Sequence, residues 1–409
     1  MNLKVKSPNP MIYGMAYILL YPFIKLFFNL KVDRRDYKPM DGSYIILCNH
    51  TSYMDFLLIM LAMYPQRLNA VAAQMFFFYK PLHKLLAMMG CIPKNLFDPD
   101  PRTIKSIQYV LNRGGKILIF PEGRCSVDGK YMGMHEATGK LIKMFRVPVV
   151  SCYVEGAYNC YPMWRRWASY GQIKMTLRNV LTKEQCKSFP VAEINQIIND
   201  SLSGVSLPKP TRPLKVFFGM NRAKGLESLL YYCPNCGKEF TLRTKGNYIY
   251  CKECGNTAKV NREGRLQTVG SSKIPDTIVK WHKLQINYEK SFLVRDIFPK
   301  GIQVTVRSRS KKGSNLMSCG RGVLRLDQFG WHFKGELYGG QVNLFFPIEV
   351  VPAIPFIPNG SFHIYDKGVF LAFTPENPKS IIKYVTLGEC VYWMYGERVQ
   401  MVQGRYKRF

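Results

Sequence analysis

The chain has 409 residues, 58 Lys and Arg against 27 Asp and Glu, a formal charge of +31, and 47% hydrophobic residues. That apolar content excludes a disordered chain, and the length fits two or three domains of about 100–200 residues each. The charge is spread over both halves, +13 in residues 1–200 and +18 in the rest, so polyanions are expected partners: nucleic acid, an anionic membrane or phosphorylated molecules. Of 12 cysteines, four form two C-x-x-C pairs and the others are irregularly spaced. With no cleavable secretory signal, that pattern points to a reducing compartment and a metal site rather than to disulfides.

Residues 11–30 (MIYGMAYILLYPFIKLFFNL) are apolar except for Lys25, with Lys4, Lys6, Lys31, Arg34 and Arg35 as basic flanks. Pro22 interrupts the run and Lys25 must reach headgroups, so residues 11–24 would span only about 21 Å. A helix lying in one leaflet is expected; a transmembrane span and a soluble core helix are the alternatives.

From Asp41 to Val154, strand and helix signals alternate. Strands are expected at Tyr44–Cys48, Leu68–Ala73, Lys116–Phe120 and Val147–Val154. Helices are expected at Met54–Tyr64, Thr103–Asn112 and His135–Phe145. This is an α/β pattern with a largely parallel sheet. Ser203–Pro213 reads as a linker. Beyond it, short strand-like runs at 301–306, 322–326, 330–334, 342–346, 362–365 and 369–373 predict a β-rich tail, closed by a helix at Ser380–Gly396.

Two motifs sit where strands end. His50, after the first strand, can serve as a general base, and Asp55 can turn back to hold its second nitrogen. The same residues also read as a capping box, Ser52-x-x-Asp55. Phe120-Pro121-Glu122-Gly123-Arg124 places a carboxylate and a guanidinium at the same sheet edge, with Gly123 allowing close backbone approach and Arg124 suited to phosphate. By itself it also reads as an ordinary turn with a surface ion pair.

Together, Asn49-His50-x-x-x-x-Asp55 and Phe120-Pro121-Glu122-Gly123 resemble the glycerolphosphate acyltransferase superfamily, most closely the bacterial PlsC-type 1-acyl-sn-glycerol-3-phosphate acyltransferases. Gly90-Cys91-Ile92-Pro93-Lys94 and Val147-Pro148-Val149-Val150 resemble two further blocks, with Gly139 and Gly156 in step. The resemblance covers roughly residues 10–215. It implies that His50 takes the acceptor hydroxyl's proton and Asp55 orients it, while Lys94, Glu122, Gly123 and Arg124 serve the acceptor's phosphate. One position departs: the family's Gly-Thr-Arg-Ser reads Gly123-Arg124-Cys125-Ser126 here. That leaves open whether Arg124 or Lys94 carries the phosphate, or whether the acceptor differs. Cys125 as a nucleophile is a remote alternative.

Cys233-x-x-Cys236-Gly237 and Cys251-x-x-Cys254-Gly255 are separated by fourteen residues, the spacing of a structural Zn2+ ribbon with no open coordination position. A redox dithiol is the lesser reading. The tail resembles a pleckstrin-homology or GRAM-like module in pattern only, and Arg307, Arg309, Lys311 and Lys312 could sit on anionic lipid. His83, His135, His282, His332 and His363 read as structural or surface residues.

The expected organisation is a membrane-associated segment (1–40), an acyltransferase domain (41–215), a zinc ribbon (228–262) and a β-rich domain (263–409). The expected reaction moves a fatty acyl group from acyl-CoA or acyl-carrier protein to the sn-2 hydroxyl of lysophosphatidate, with no cofactor needed for catalysis. The expected place is the cytoplasmic face of the membrane, peripheral or monotopic, with membrane phospholipids rather than nucleic acid as partners. The rivals are another lysophospholipid or glycerol-3-phosphate as acceptor, and a basic zinc-ribbon protein that binds nucleic acid or lipid, with an inactive acyltransferase domain.

Overall fold

A computed structural model describes residues 5–96, 100–134, 136–207, 220–309, 316–366 and 369–396. The chain forms two compact units: Met1–Lys94, Asp100–Gly219 and Arg262–Gly264 in one, Asn95–Pro99, Met220–Asn261 and Arg265–Phe409 in the other. His135, Lys311 and Lys312, and the linker beyond Leu207, lie outside the described residues.

The first unit runs α1 (Pro10–Phe27), β1 (Lys31–Asp36), β2 (Tyr44–Cys48), α2 (Asp55–Met63), β3 (Leu68–Ala73), α3 (Lys80–Met88), β4 (Ile92–Lys94), α4 (Pro101–Leu111), β5 (Lys116–Ile119), α5 (Ala137–Phe145), β6 (Val149–Glu155), α6 (Ala157–Cys160), β7 (Lys174–Leu181), α7 (Lys183–Ser188) and α8 (Val191–Leu202). Its sheet has the order β1-β7-β6-β2-β5-β3-β4. Strands β6, β2, β5, β3 and β4 are mutually parallel. The edge pair β7 and β1 runs the other way, β7 antiparallel to β6 and β1 parallel to β7.

Alternation along β2 explains the layering. Ile46 and Cys48 pack with Leu58–Met63 of α2, Leu86 and Met89 of the α3 region, and Tyr13 and Ile24 of α1. Ile45 and Leu47 face the other way, with Ile107 and Val110 of α4, Ile142 of α5 and Ile194 and Ile198 of α8. All five β2 residues are buried, as a central strand covered on both faces requires. Side-chain caps fix several helix starts: Asn9 accepts from Met11 and Ile12, Asp100 from Thr103, and Thr182 and Gln185 form a reciprocal capping box.

Helix α1 is tied to this unit at both ends. At its start, the Asn9 N–H donates to Met88 O, Arg67 Nη1 to Pro8 O and the Tyr13 hydroxyl to Leu68 O. At its end, the Gly171 and Ile173 N–H groups donate to Phe27 and Phe28 O, and Lys31 opens β1. Met11, Met15, Ile18, Leu19, Phe23 and Leu26 form an exposed apolar face.

The second unit contains a small antiparallel sheet, β11-β10-β9-β8, from β8 (Leu242–Lys245), β9 (Tyr248–Cys251), β10 (Thr257–Val260) and β11 (Leu266–Thr268). Helix α9 (Ile278–Leu293) follows. A seven-stranded antiparallel sheet comes next: β12 (Ile302–Arg309), β13 (Leu316–Asp327), β14 (Gly330–Leu337), β15 (Gly340–Pro347), β16 (Phe356–Ile357), β17 (Ser361–Asp366) and β18 (Val369–Pro375). Its order is β15-β14-β13-β12-β18-β17-β16, so the first strand pairs with the last. Helix α10 (Ile381–Val391) is almost wholly buried and continues into a π-helical turn at Tyr392–Gly396. The cysteine-bearing segment is bolted to α9 and α10. Gln285 Oε1 accepts from the Tyr231 and Tyr232 N–H groups, Trp281 Nε1 donates to Tyr232 O, and Lys383 Nζ bonds both oxygens of Glu239.

Candidate active site and cysteine cluster

The motif residues converge because β2, β4 and β5 are parallel and end at one sheet edge, where α/β folds place ligands. Asn49 and His50 leave β2, and Glu122 and Gly123 leave the adjacent β5. Lys94 closes β4, three strands from β2, a lateral offset of about 14 Å at ~4.8 Å per strand.

His50 Nδ1 lies 3.0 Å from Asp55 Oδ2. The same oxygen accepts from the Thr51 N–H at 2.7 Å and the Ser52 N–H at 2.8 Å. Asp55 is fully buried, and three donors fix its carboxylate in place. A carboxylate only accepts, so neutral His50 carries its hydrogen on Nδ1 and keeps its lone pair on Nε2. The ring stacks on Phe120 with centroids 4.3 Å apart, and its side chain is 20% exposed. The capping-box reading survives in half: Asp55 reaches back to the Ser52 N–H, but the Ser52 hydroxyl donates to Tyr161 O.

The backbone of His50 is held on both sides by the segment after β5. Its N–H donates to Glu122 Oε1 at 2.6 Å, and its carbonyl accepts from the Ser126 N–H at 2.7 Å. Glu122 Oε2 accepts from the Met132 N–H at 2.9 Å, so both carboxylate oxygens meet backbone donors. Burial pushes the Glu122 pKa up to about 8, against the pull of those donors and of Arg124. Gly123 has φ +75°, a left-handed conformation that a side chain would strain. Arg124 is mostly buried near Glu122, and Cys125 is buried with its thiol pushed well above the ordinary range by desolvation, then by Asp55 and Glu122. That environment disfavours the thiolate a nucleophile needs.

Asn49 has a structural task that its place in the motif does not reveal. Its amide clamps β6: Nδ2 donates to Val154 O at 2.9 Å and Oδ1 accepts from the Val154 N–H at 2.7 Å. A polar side chain directly after a fully buried strand was the available signal.

Residues 29–155 match the family model described as Acyltransferase. The chain carries an acyltransferase-family domain. Its sequence motifs, and one curated relative, are similar to the PlsC type. The acyltransferase domain is similar to 1-acyl-sn-glycerol-3-phosphate acyltransferase of Bacillus subtilis (strain 168), 21% identical over 175 residues, which are 42% of this chain and 84% of the relative. Among solved structures, the PlsC lysophosphatidate (LPA) acyltransferase of Thermotoga maritima aligns at 17% identity and TM-score 0.41 over 49% of this chain and 82% of its own.

The second constellation is the cluster of Cys233, Cys236, Cys251 and Cys254, whose sulfurs all lie within 4.8 Å of one another and could hold a metal ion. Two turns of identical form present them. The Gly237 N–H donates to Cys233 O and the Gly255 N–H to Cys251 O, each glycine at φ near +70°. Sulfur separations are 3.7 Å for Cys233–Cys254 and 3.8 Å for Cys236–Cys251. A tetrahedron of ~2.3 Å Zn–S bonds has edges of about 3.8 Å. The donor set therefore fits a tetrahedral thiophilic ion.

Proposed function

We propose that this protein is a membrane-associated glycerolipid acyltransferase. It transfers a fatty acyl group from acyl-CoA or acyl-carrier protein to the sn-2 hydroxyl of 1-acyl-sn-glycerol-3-phosphate, giving phosphatidate. The observation that carries the reading is the His50–Asp55 pair at the sheet edge, with the lone pair of Nε2 left for an incoming hydroxyl. Nε2 takes the hydroxyl proton as the oxygen attacks the thioester carbonyl. The tetrahedral intermediate then expels the thiolate, which recovers that proton from the imidazolium. Asp55 stabilises the transient cation.

Gly123, Arg124 and Lys94 serve the acceptor's phosphate, with Glu122 shaping that region from behind through the His50 and Met132 backbone. Arg124 follows the strand next to His50 and is the nearer cation by strand count. The shift that puts Arg124 one position early supports a second reading, an acceptor with a different head group. Comparing glycerol-3-phosphate, lysophosphatidate and neutral lysolipids as acceptors separates the two.

Helix α1 is long and apolar enough by length and composition to cross a membrane. Its attachment at both ends to one folded unit supports a helix lying along a leaflet instead, on the cytoplasmic face of the cell membrane. The cysteine cluster, within a ribbon at 228–262, holds one structural zinc, and catalysis needs no cofactor. The tail from residue 263 is a pleckstrin-homology or GRAM-like module, a reading supported by its four-strand and three-strand meanders joined through β12 and β18, and by its closing helix.

A further inference from the structure

Residues 162–170, Pro-Met-Trp-Arg-Arg-Trp-Ala-Ser-Tyr, lie between α6 and β7 and take no part in the chemistry above. The segment is braced from within. Buried Trp164 donates from Nε1 to the Tyr158 hydroxyl at 3.0 Å, and the Arg165 guanidinium sits 5.0 Å from the Trp164 ring. Arg165 Nη1 also donates to Asn159 O at 3.1 Å and to the Ser169 hydroxyl at 2.9 Å, and the Ser169 N–H closes the loop onto Cys160 O at 2.8 Å. Trp167 does the opposite of Trp164. It is 72% exposed, with the guanidinium of exposed Arg166 over its ring at 5.4 Å.

A braced loop that holds an indole in water costs little further ordering when it meets a partner. Its position says which partner. The Tyr170 ring meets Phe27 edge-on at 5.6 Å, and Phe27 stacks on Phe23 at 5.3 Å. The loop therefore abuts the end of α1 that carries exposed Phe23, Lys25 and Leu26. Tryptophan is enriched where an apolar phase meets water, because its ring is apolar and its N–H polar, and arginine pairs with phosphates.

We propose that Arg166 and Trp167 form a headgroup-level anchor for an anionic phospholipid bilayer, next to the apolar face of α1. This rests on the membrane reading of α1. The indole seats at the boundary between headgroups and acyl chains, and the guanidinium pairs with lipid phosphate. The anchor holds the β7 side of the sheet to the surface, so that α1 is fixed in plane at its C-terminal end.

The test uses the full chain and vesicles of phosphatidylcholine, alone or mixed with phosphatidylglycerol. Flotation reads binding, and brominated lipids report indole depth by quenching. The wild type is expected to float with anionic vesicles and to be quenched, and Trp167→Phe to lose most of that quenching with an unchanged thermal melt. Arg166→Glu is expected to lower partition onto anionic vesicles about 30-fold, from about 1 kcal/mol for each of two charge steps, and to leave neutral vesicles unaffected. If the wild type floats but the quenching of Trp167→Phe and the partition of Arg166→Glu match it, the anchor is refuted while the α1 reading stands. Unquenched Trp167 in a floating protein is the result expected of a protein-docking loop, and it also refutes the anchor. If the wild type floats with neither vesicle, the membrane reading and the anchor fall together.

Discussion

Replacing Glu122 with glutamine tests whether this carboxylate acts through His50. Both of its oxygens accept backbone hydrogen bonds, from His50 at 2.6 Å and Met132 at 2.9 Å. Glutamine offers one oxygen and one NH2, so one N–H must face a donor. The loss is that of one hydrogen bond to a charged group, about 1.5–3 kcal/mol. Expressed wholly in the placement of His50, that lowers kcat about 10- to 150-fold. The effect should depend on pH. Burial puts the Glu122 pKa at about 8, and a protonated carboxyl, like an amide, has one acceptor and one donor. The ratio of wild-type to Glu122→Gln kcat is therefore expected to be large at pH 9 and to shrink towards unity near pH 6. The same titration appears in stability. Between the ordinary value of 4.5 and about 8, the folded chain keeps a proton that the unfolded chain has released. Stability therefore falls as pH rises through that window, and Glu122→Gln removes the slope. Steady-state kinetics and denaturant titration across this range check both. A ratio that does not vary with pH, or a loss confined to the KM of the acceptor, would refute the reasoning and favour direct contact with the phosphate.

Two further outcomes follow from the second unit. Lys383 lies 2.6 Å from Glu239 and 3.6 Å from Glu289, which is nearly buried and also accepts from the Tyr231 hydroxyl. Lys383→Met is expected to destabilise that unit by about 3 kcal/mol by stranding a buried carboxylate, and Glu289→Gln in the same chain should recover part of the loss. A denaturant midpoint unmoved by Lys383→Met would contradict this. Metal analysis is expected to find one zinc per chain, and chelation should perturb the emission of Trp281, whose Nε1 bonds Tyr232 O beside Cys233. A metal-free chain with unchanged Trp281 emission would remove the claim.

The central strands were legible in the sequence because burial on both faces leaves continuous apolar runs. Strands β2 and β3 fall at the expected residues, and β5 and β6 within one or two. The edge pair was not legible. β1, Lys31–Asp36, is mostly charged and lies within the span 1–40 read as a membrane segment, and β7 sits at the sheet's antiparallel turn-back. Only pairing with each other and with β6 defines them. Helix α9 was also missed, because its buried face includes Gln285 and Glu289, polar residues that a hydrophobic pattern does not count. At the site, the His50–Asp55 spacing was legible because the turn before α2 is short. The backbone bonds of Glu122 and the Asn49 clamp on Val154 were not, since both reach main-chain groups far away in sequence.

Acyl transfer itself tests the account most directly. Full-length protein with lysophosphatidate in vesicles and an acyl thioester is expected to release thiol and phosphatidate in equal amounts, and His50→Ala is expected to abolish both while the fold is kept. Undiminished phosphatidate formation by His50→Ala, or no thioester turnover by the wild type with any glycerolipid acceptor, would contradict it.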